Sequence, residues 1–67
     1  MNTKKIVVRG GGENLYEVRE TYAEFYAYKI DVGLLWNSEK YLGKTRRFDA
    51  ALALIRAHSG REILNIS

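Results

Sequence analysis

Two periodicities divide this chain: an alternation of apolar and polar positions over most of its length, and one stretch with helical spacing. Lys5–Arg9 carries the β-branched Ile6, Val7 and Val8 and predicts a first strand. It stops at Gly10, Gly11 and Gly12, a flexible turn that lets the strand reverse or cross over. In Leu15–Glu20, Tyr16 and Val18 alternate with Glu17 and Arg19, the pattern of a half-buried second strand ending at a turn on Thr21. A third strand is predicted from Tyr22 to Ile30, with Tyr22, Tyr26, Tyr28 and Ile30 on one face and Ala23, Phe25, Ala27 and Lys29 on the other. Both faces are rich in apolar or aromatic groups, which predicts a central position. Asp31, Val32 and Gly33 then form a hairpin turn. Leu34 to Lys44 reads either as one bulged strand or as a loop followed by a short strand over Lys40 to Lys44. Asn37 and Ser38 interrupt the apolar pattern, and the loop with a short strand is preferred.

Phe48 to Ser59 is the one convincing helix. At about 100° per residue Phe48, Ala51, Leu52 and Ile55 fall on one face, with Leu54 off the main stripe, a covered flank or a dimer contact. Asp49 complements the positive end of this helix and His58 the negative end, and Gly60 stands where a left-handed residue closes it. Arg61 to Ser67, with Ile63, Leu64 and Ile66, reads as a final strand paired inside the sheet.

The fold class predicted is α+β: a two-layer domain with a mostly antiparallel sheet of four to five strands in β-β-β-β-α-β order, and one helix packed on one face. Its 67 residues allow a single core and so one domain. The second sheet face is then left to water or to a partner.

Composition narrows the chemistry. With no cysteine the chain has no disulfide, thiolate zinc site or thiol nucleophile, and a reducing cytoplasm is the expected compartment. No apolar run approaches the ~18 residues of a membrane span, and only three apolar residues follow Met1 to Lys5, too few for a signal-peptide core. No membrane partner is expected. His58 is the only imidazole, which argues against a metal site, and no serine or threonine has an evident base beside it. Glu13, Glu17, Glu20 and Glu24 read as solvated strand edges, and Gly10 to Gly12 match neither nucleotide-binding fingerprint. A non-enzymatic domain without cofactor or metal is therefore expected.

Charge and aromatic residues carry what remains. The net charge of +3 is concentrated after residue 28 and is densest at Lys44, Arg46 and Arg47. Lys40, Lys44, Arg46 and Arg47 could hold phosphates while Trp36 or Tyr41 stacks on an unpaired base, which makes nucleic acid one candidate partner. Tyr16, Tyr22, Tyr26, Tyr28 and Tyr41 are many tyrosines for so short a chain. A half-wet tyrosine suits both an open sheet face and a protein interface. The favoured expectation is a protein-interaction or accessory module using Tyr22, Tyr26, Tyr28 and Trp36, with a protein partner or a second copy. The alternative is a weak nucleic-acid binder using Lys40, Tyr41, Lys44, Arg46 and Arg47.

Tyr41-Leu42-Gly43-Lys44-Thr45 followed by Phe48-Asp49-Ala50-Ala51-Leu52 resembles the strand-to-helix junction of AP2-type and integrase arm-type DNA-binding domains. The resemblance covers about a dozen residues. It implies three strands before the helix and a sheet that carries base contacts; here a further strand is predicted after the helix.

Overall fold

The computed structural model describes residues 2–67. Chain order is β1 (Asn2–Val8), β2 (Leu15–Thr21), β3 (Glu24–Val32), β4 (Asn37–Thr45), α1 (Phe48–Ser59) and β5 (Ile63–Ile66). The strands form one antiparallel sheet in the spatial order β4-β3-β2-β1-β5. The α+β class and the element order predicted above are those observed.

Pairing register decides which residues share a face. Ile6 lies opposite Tyr16, and Val18 opposite Ala27, so these residues line the side that α1 covers. With Val8, Ala51 and Ile55 they form the buried core, flanked by Phe25, Leu42, Phe48, Leu52, Leu54 and Ile63. Full burial of a Val or Ile side chain contributes about 1.5–3 kcal/mol, so this single layer is the largest favourable term in a chain this small. Leu54 belongs to that layer: a Cβ built on Gly43 would stand 3.0 Å from Leu54 Cδ1, so the helix rests almost on the β4 backbone. It is the covered flank of the two readings above.

The helix has the predicted bounds. Gly60 takes the left-handed conformation (φ 67°) and its N–H donates to the Arg56 carbonyl at 2.8 Å. At the other end Arg47 occupies the cap position with extended backbone but makes no side-chain capping bond. Tyr16, buried beneath α1, is hydrogen-bonded through its hydroxyl to His58 Nδ1 at 2.9 Å, which ties β2 to the last helical turn. Burial pushes the Tyr16 phenol above its ordinary value of 10.0.

Several expectations are corrected. β1 begins at Asn2 and ends at Val8, because antiparallel pairing with β2 draws Asn2, Thr3 and Lys4 into the ladder opposite Glu20, Arg19 and Val18. Tyr22 is not a strand residue: Tyr22 and Ala23 are the two central residues of a tight turn, with φ 53° and 62°. A two-residue hairpin loop matches the strand twist only with both φ positive. Asn37 and Ser38 lie within β4, whose nine residues carry a bulge where Ala27 pairs Gly43 but Tyr28 pairs Tyr41. The loop is thus short, Gly33–Trp36, and the strand after it long. The central strand is β2, not β3, because β5 pairs with the far side of β1 and moves the centre of the sheet over by one. For the same reason β5 is an edge strand and not an internal one. Tyr16 leaves the open tyrosine face because its register puts it under the helix.

Candidate contact surface

Aromatic or apolar groups stay uncovered at Tyr22 on the β2–β3 turn, at Leu64 and Ile66 on β5, on the sheet face opposite α1, and at the end of the β3–β4 hairpin; the last two gather several such residues together.

On the sheet face, Tyr28 pairs with Tyr41 and with Glu17, and Tyr26 with Lys44 and Arg19, so all six project from the side away from the helix. The Tyr28 and Tyr41 rings lie 5.6 Å apart and Tyr26 and Tyr41 6.5 Å apart, forming one tilted row. The Arg19 guanidinium sits 4.2 Å over the Tyr28 ring. It is also ion-paired with Glu17 at 3.0 Å and with Glu39. Hydrogen bonding to Arg19 holds the Glu39 carboxyl below the ordinary carboxylate value, and the Glu39 bond in turn raises the Arg19 value. Lys44 is 3.6 Å from Glu24. The tyrosine row therefore lies in a field whose charges are largely neutralised in place.

Beyond Ile30 the β3–β4 hairpin ends in four large apolar residues with almost no cover. Val32 is 71% exposed, Leu34 104%, Leu35 84% and Trp36 72%. The loop that carries them has a defined shape. A Cβ on Gly33 would stand 2.5 Å from the Trp36 carbonyl oxygen, so the chain closes on itself at a point where only glycine fits. The side chains surround a shallow cleft of about 420 Å³ lined by Asp31, Val32, Leu34, Leu35, Trp36 and Ser38. At its base Lys29 binds Asp31 at 2.8 Å and Glu13 at 3.3 Å. The Asp31 bond holds Lys29 above its ordinary value, so its charge stays internally compensated.

The predicted contact residues separate accordingly. Tyr26 and Tyr28 stand together on the open face, with Tyr41 beside them. Trp36 lies on the hairpin end, and Tyr22, 95% exposed, on the turn between β2 and β3. The four do not form one patch. Sequence reasoning missed Val32, Leu34 and Leu35 as contact residues: Val32 reads as part of a turn, and Leu34 and Leu35 as a loop or, less favoured, the start of a bulged strand. Four large apolar residues within five positions after a polar-flanked strand were the available signal.

The predicted nucleic-acid set is also divided. Tyr41 and Lys44 share the open face, but Lys40 pairs with Lys29 and so belongs to the helix side. Arg47 bonds to Asp49 at 3.0 Å, which raises the Arg47 value and lowers that of Asp49. Of the four cations only Lys40 and Arg46 have no carboxylate partner among the described residues. Among those residues there is no cluster of three His, Cys, Asp or Glu side chains that could hold a metal, and no helix long and apolar enough to cross a membrane. Compared with protein-family models, curated proteins and solved structures, the chain matches none.

Proposed function

We propose that this domain is a protein-interaction module whose contact surface is the apolar end of the β3–β4 hairpin, with the tyrosine row on the open sheet face as a second, separate surface. The observation that carries this reading is the cluster of Val32, Leu34, Leu35 and Trp36, which the fold leaves in water. Leaving these side chains in water forgoes the burial energy that a small domain most needs. Large contiguous apolar patches on soluble proteins mark contact sites. Tyr26, Tyr28 and Tyr41 add ring surface at low conformational cost, with hydroxyls that tolerate a wet rim.

The nucleic-acid alternative is disfavoured because Arg19, Lys29, Lys44 and Arg47 already face carboxylates. A phosphate would have to displace each of them.

A dye that fluoresces on apolar surface tests the reading directly. Binding by the wild type that is lost in Leu34→Asp/Leu35→Asp, with the far-ultraviolet circular dichroism unchanged, supports it. No binding, or binding that survives the substitutions, overturns it. Titration with single- and double-stranded oligonucleotides at low and near-physiological salt tests the alternative: affinity that falls steeply with salt and disappears in Arg46→Glu/Arg47→Glu would replace the protein-contact reading.

A further inference from the structure

We infer that the hairpin end takes a basic amphipathic segment of a partner protein, one that sets apolar side chains beside lysine or arginine. This rests on the reading of the hairpin end as a contact surface and adds the chemistry of what covers it.

The charges around the tip carry the argument. Asp31 is the one ionic group lining the cleft of about 420 Å³, whose apolar walls are Val32, Leu34, Leu35 and Trp36. Glu13 lines a second hollow together with Asp31 and Val32, and Glu39 stands opposite Ile30 on the strand that leaves the tip. The cations that bind these carboxylates lie beneath them. The Lys29 side chain is 14% exposed, against 45% for Asp31 and 78% for Glu13, its two partners. Arg19 is 24% exposed and Glu39 48%, and Arg19 also serves the well-covered Glu17. Each of the two cations is thus shared by two carboxylates, and Glu13, Asp31 and Glu39 are what face water. Lys40 is the exposed cation of the group. With it counted, four carboxylates stand against three cations, a local sum of −1 on a chain whose net charge is +3. The apolar tip therefore wears an acidic collar on an otherwise basic protein.

The sign of the collar discriminates between occupants. A second copy would bring two acidic collars together, since a two-fold contact sets each patch against itself. Anionic lipid and a phosphate backbone meet the same repulsion. A basic amphipathic segment satisfies both features of the tip. Its apolar side chains enter the cleft, and its cations reach Asp31, Glu13 and Glu39, whose exposed oxygens have lone pairs left for a second donor. Closure at Gly33 gives the surface a fixed shape, because the Trp36 carbonyl occupies the space a side chain at 33 would need. Ordering costs on association are correspondingly small.

The emission of Trp36, the only tryptophan, reports on the tip. The full chain is titrated with a synthetic amphipathic peptide of leucine and lysine at helical spacing, and with its counterpart carrying glutamate in place of lysine. The expected result is a saturable blue shift with the leucine-lysine peptide, at least about tenfold tighter than with the leucine-glutamate peptide and weakened by salt. The net charge of +3 acting alone would give the opposite order. Leu34→Asp/Leu35→Asp should abolish the shift although it adds negative charge. Glu13→Gln/Glu39→Gln leaves Lys29 with Asp31 and Arg19 with Glu17, and it should abolish the preference for the basic peptide.

Equal affinity for the two peptides, a preference for the leucine-glutamate peptide, or a preference that survives Glu13→Gln/Glu39→Gln overturns the inference. A shift that survives Leu34→Asp/Leu35→Asp overturns the placement at the tip. Silence toward both peptides while the wild type still binds the apolar dye overturns the basic partner and leaves the contact surface standing. Silence with no dye bound overturns both. Self-association in sedimentation velocity that Leu34→Asp/Leu35→Asp abolishes puts a second copy on the tip instead. A Trp36 shift on phosphatidylcholine vesicles, with neither peptide bound, puts a lipid surface there.

Discussion

The turn between β2 and β3 stores strain, and replacing its two central residues should stabilise the domain. Tyr22 and Ala23 both have positive φ, 53° and 62°, in a loop whose geometry normally selects Asn-Gly. A Cβ in the left-handed region costs roughly 1–2 kcal/mol per residue. Ala23→Gly removes that cost at 23 and gives back about 0.4–1 kcal/mol through the greater entropy of the unfolded chain. Tyr22→Asn removes part of the cost at 22. The side chain is 95% exposed, so little packing is lost with it. The net gain for the double variant is about 1–2 kcal/mol, which in a domain of this size raises Tm by roughly 5–15 °C. Urea unfolding followed by circular dichroism is the assay, and the midpoint should rise with an unchanged slope. An unchanged or lower midpoint would refute the argument that the turn is strained. The double variant should also keep the Trp36 response of the wild type, since Tyr22 lies at the far end of the sheet from the apolar tip.

Tyr16→Phe should cost about 0.5–1.5 kcal/mol near neutral pH by removing the bond to His58 Nδ1. Because burial raises the Tyr16 value above 10.0, the unfolded chain ionises first. Stability is then fully present below pH 10 and is lost as pH rises through the folded value. The variant should lack that alkaline loss in pH-dependent urea titrations. At the acid end the sign reverses. Glu39 is held below its ordinary value of 4.5 by Arg19, so its stabilising share is present above that value and is lost as pH falls through the folded one. Glu39→Gln should therefore show a flatter acid limb than the wild type in the same titrations. Arg47→Ser supplies the missing capping oxygen to a residue already extended at φ −134° and ψ 141°, and chemical denaturation should report a gain of about 0.5–1 kcal/mol.

Local pattern alone determined the helix. Phe48, Ala51, Leu52 and Ile55 share one face at helical spacing, and Gly60 supplies the left-handed residue that ends it, so both bounds are written within a dozen neighbouring residues. The same holds for the alternating strands and for the α+β class, because one amphipathic helix has one sheet face to cover. Strand order is different in kind. That β5 pairs with β1, making β2 the centre, depends on contacts between residues more than fifty positions apart, which no local periodicity records. Register likewise sent Tyr16 beneath the helix and Tyr28 to the open face, although both belong to the same class of strand tyrosine. The candidate contact surface was legible in part: Tyr26, Tyr28 and Trp36 were recognisable as aromatic residues suited to an interface. Tertiary structure decided that Trp36 lies outside the sheet with Leu34 and Leu35, next to the exposed Val32 at the end of β3, because β4 starts only at Asn37 and nothing packs over these side chains. An apolar residue in a sequence states a preference for burial. Whether the fold has room to satisfy it is settled by the global packing of the other elements, and at the hairpin end four such residues were left outside.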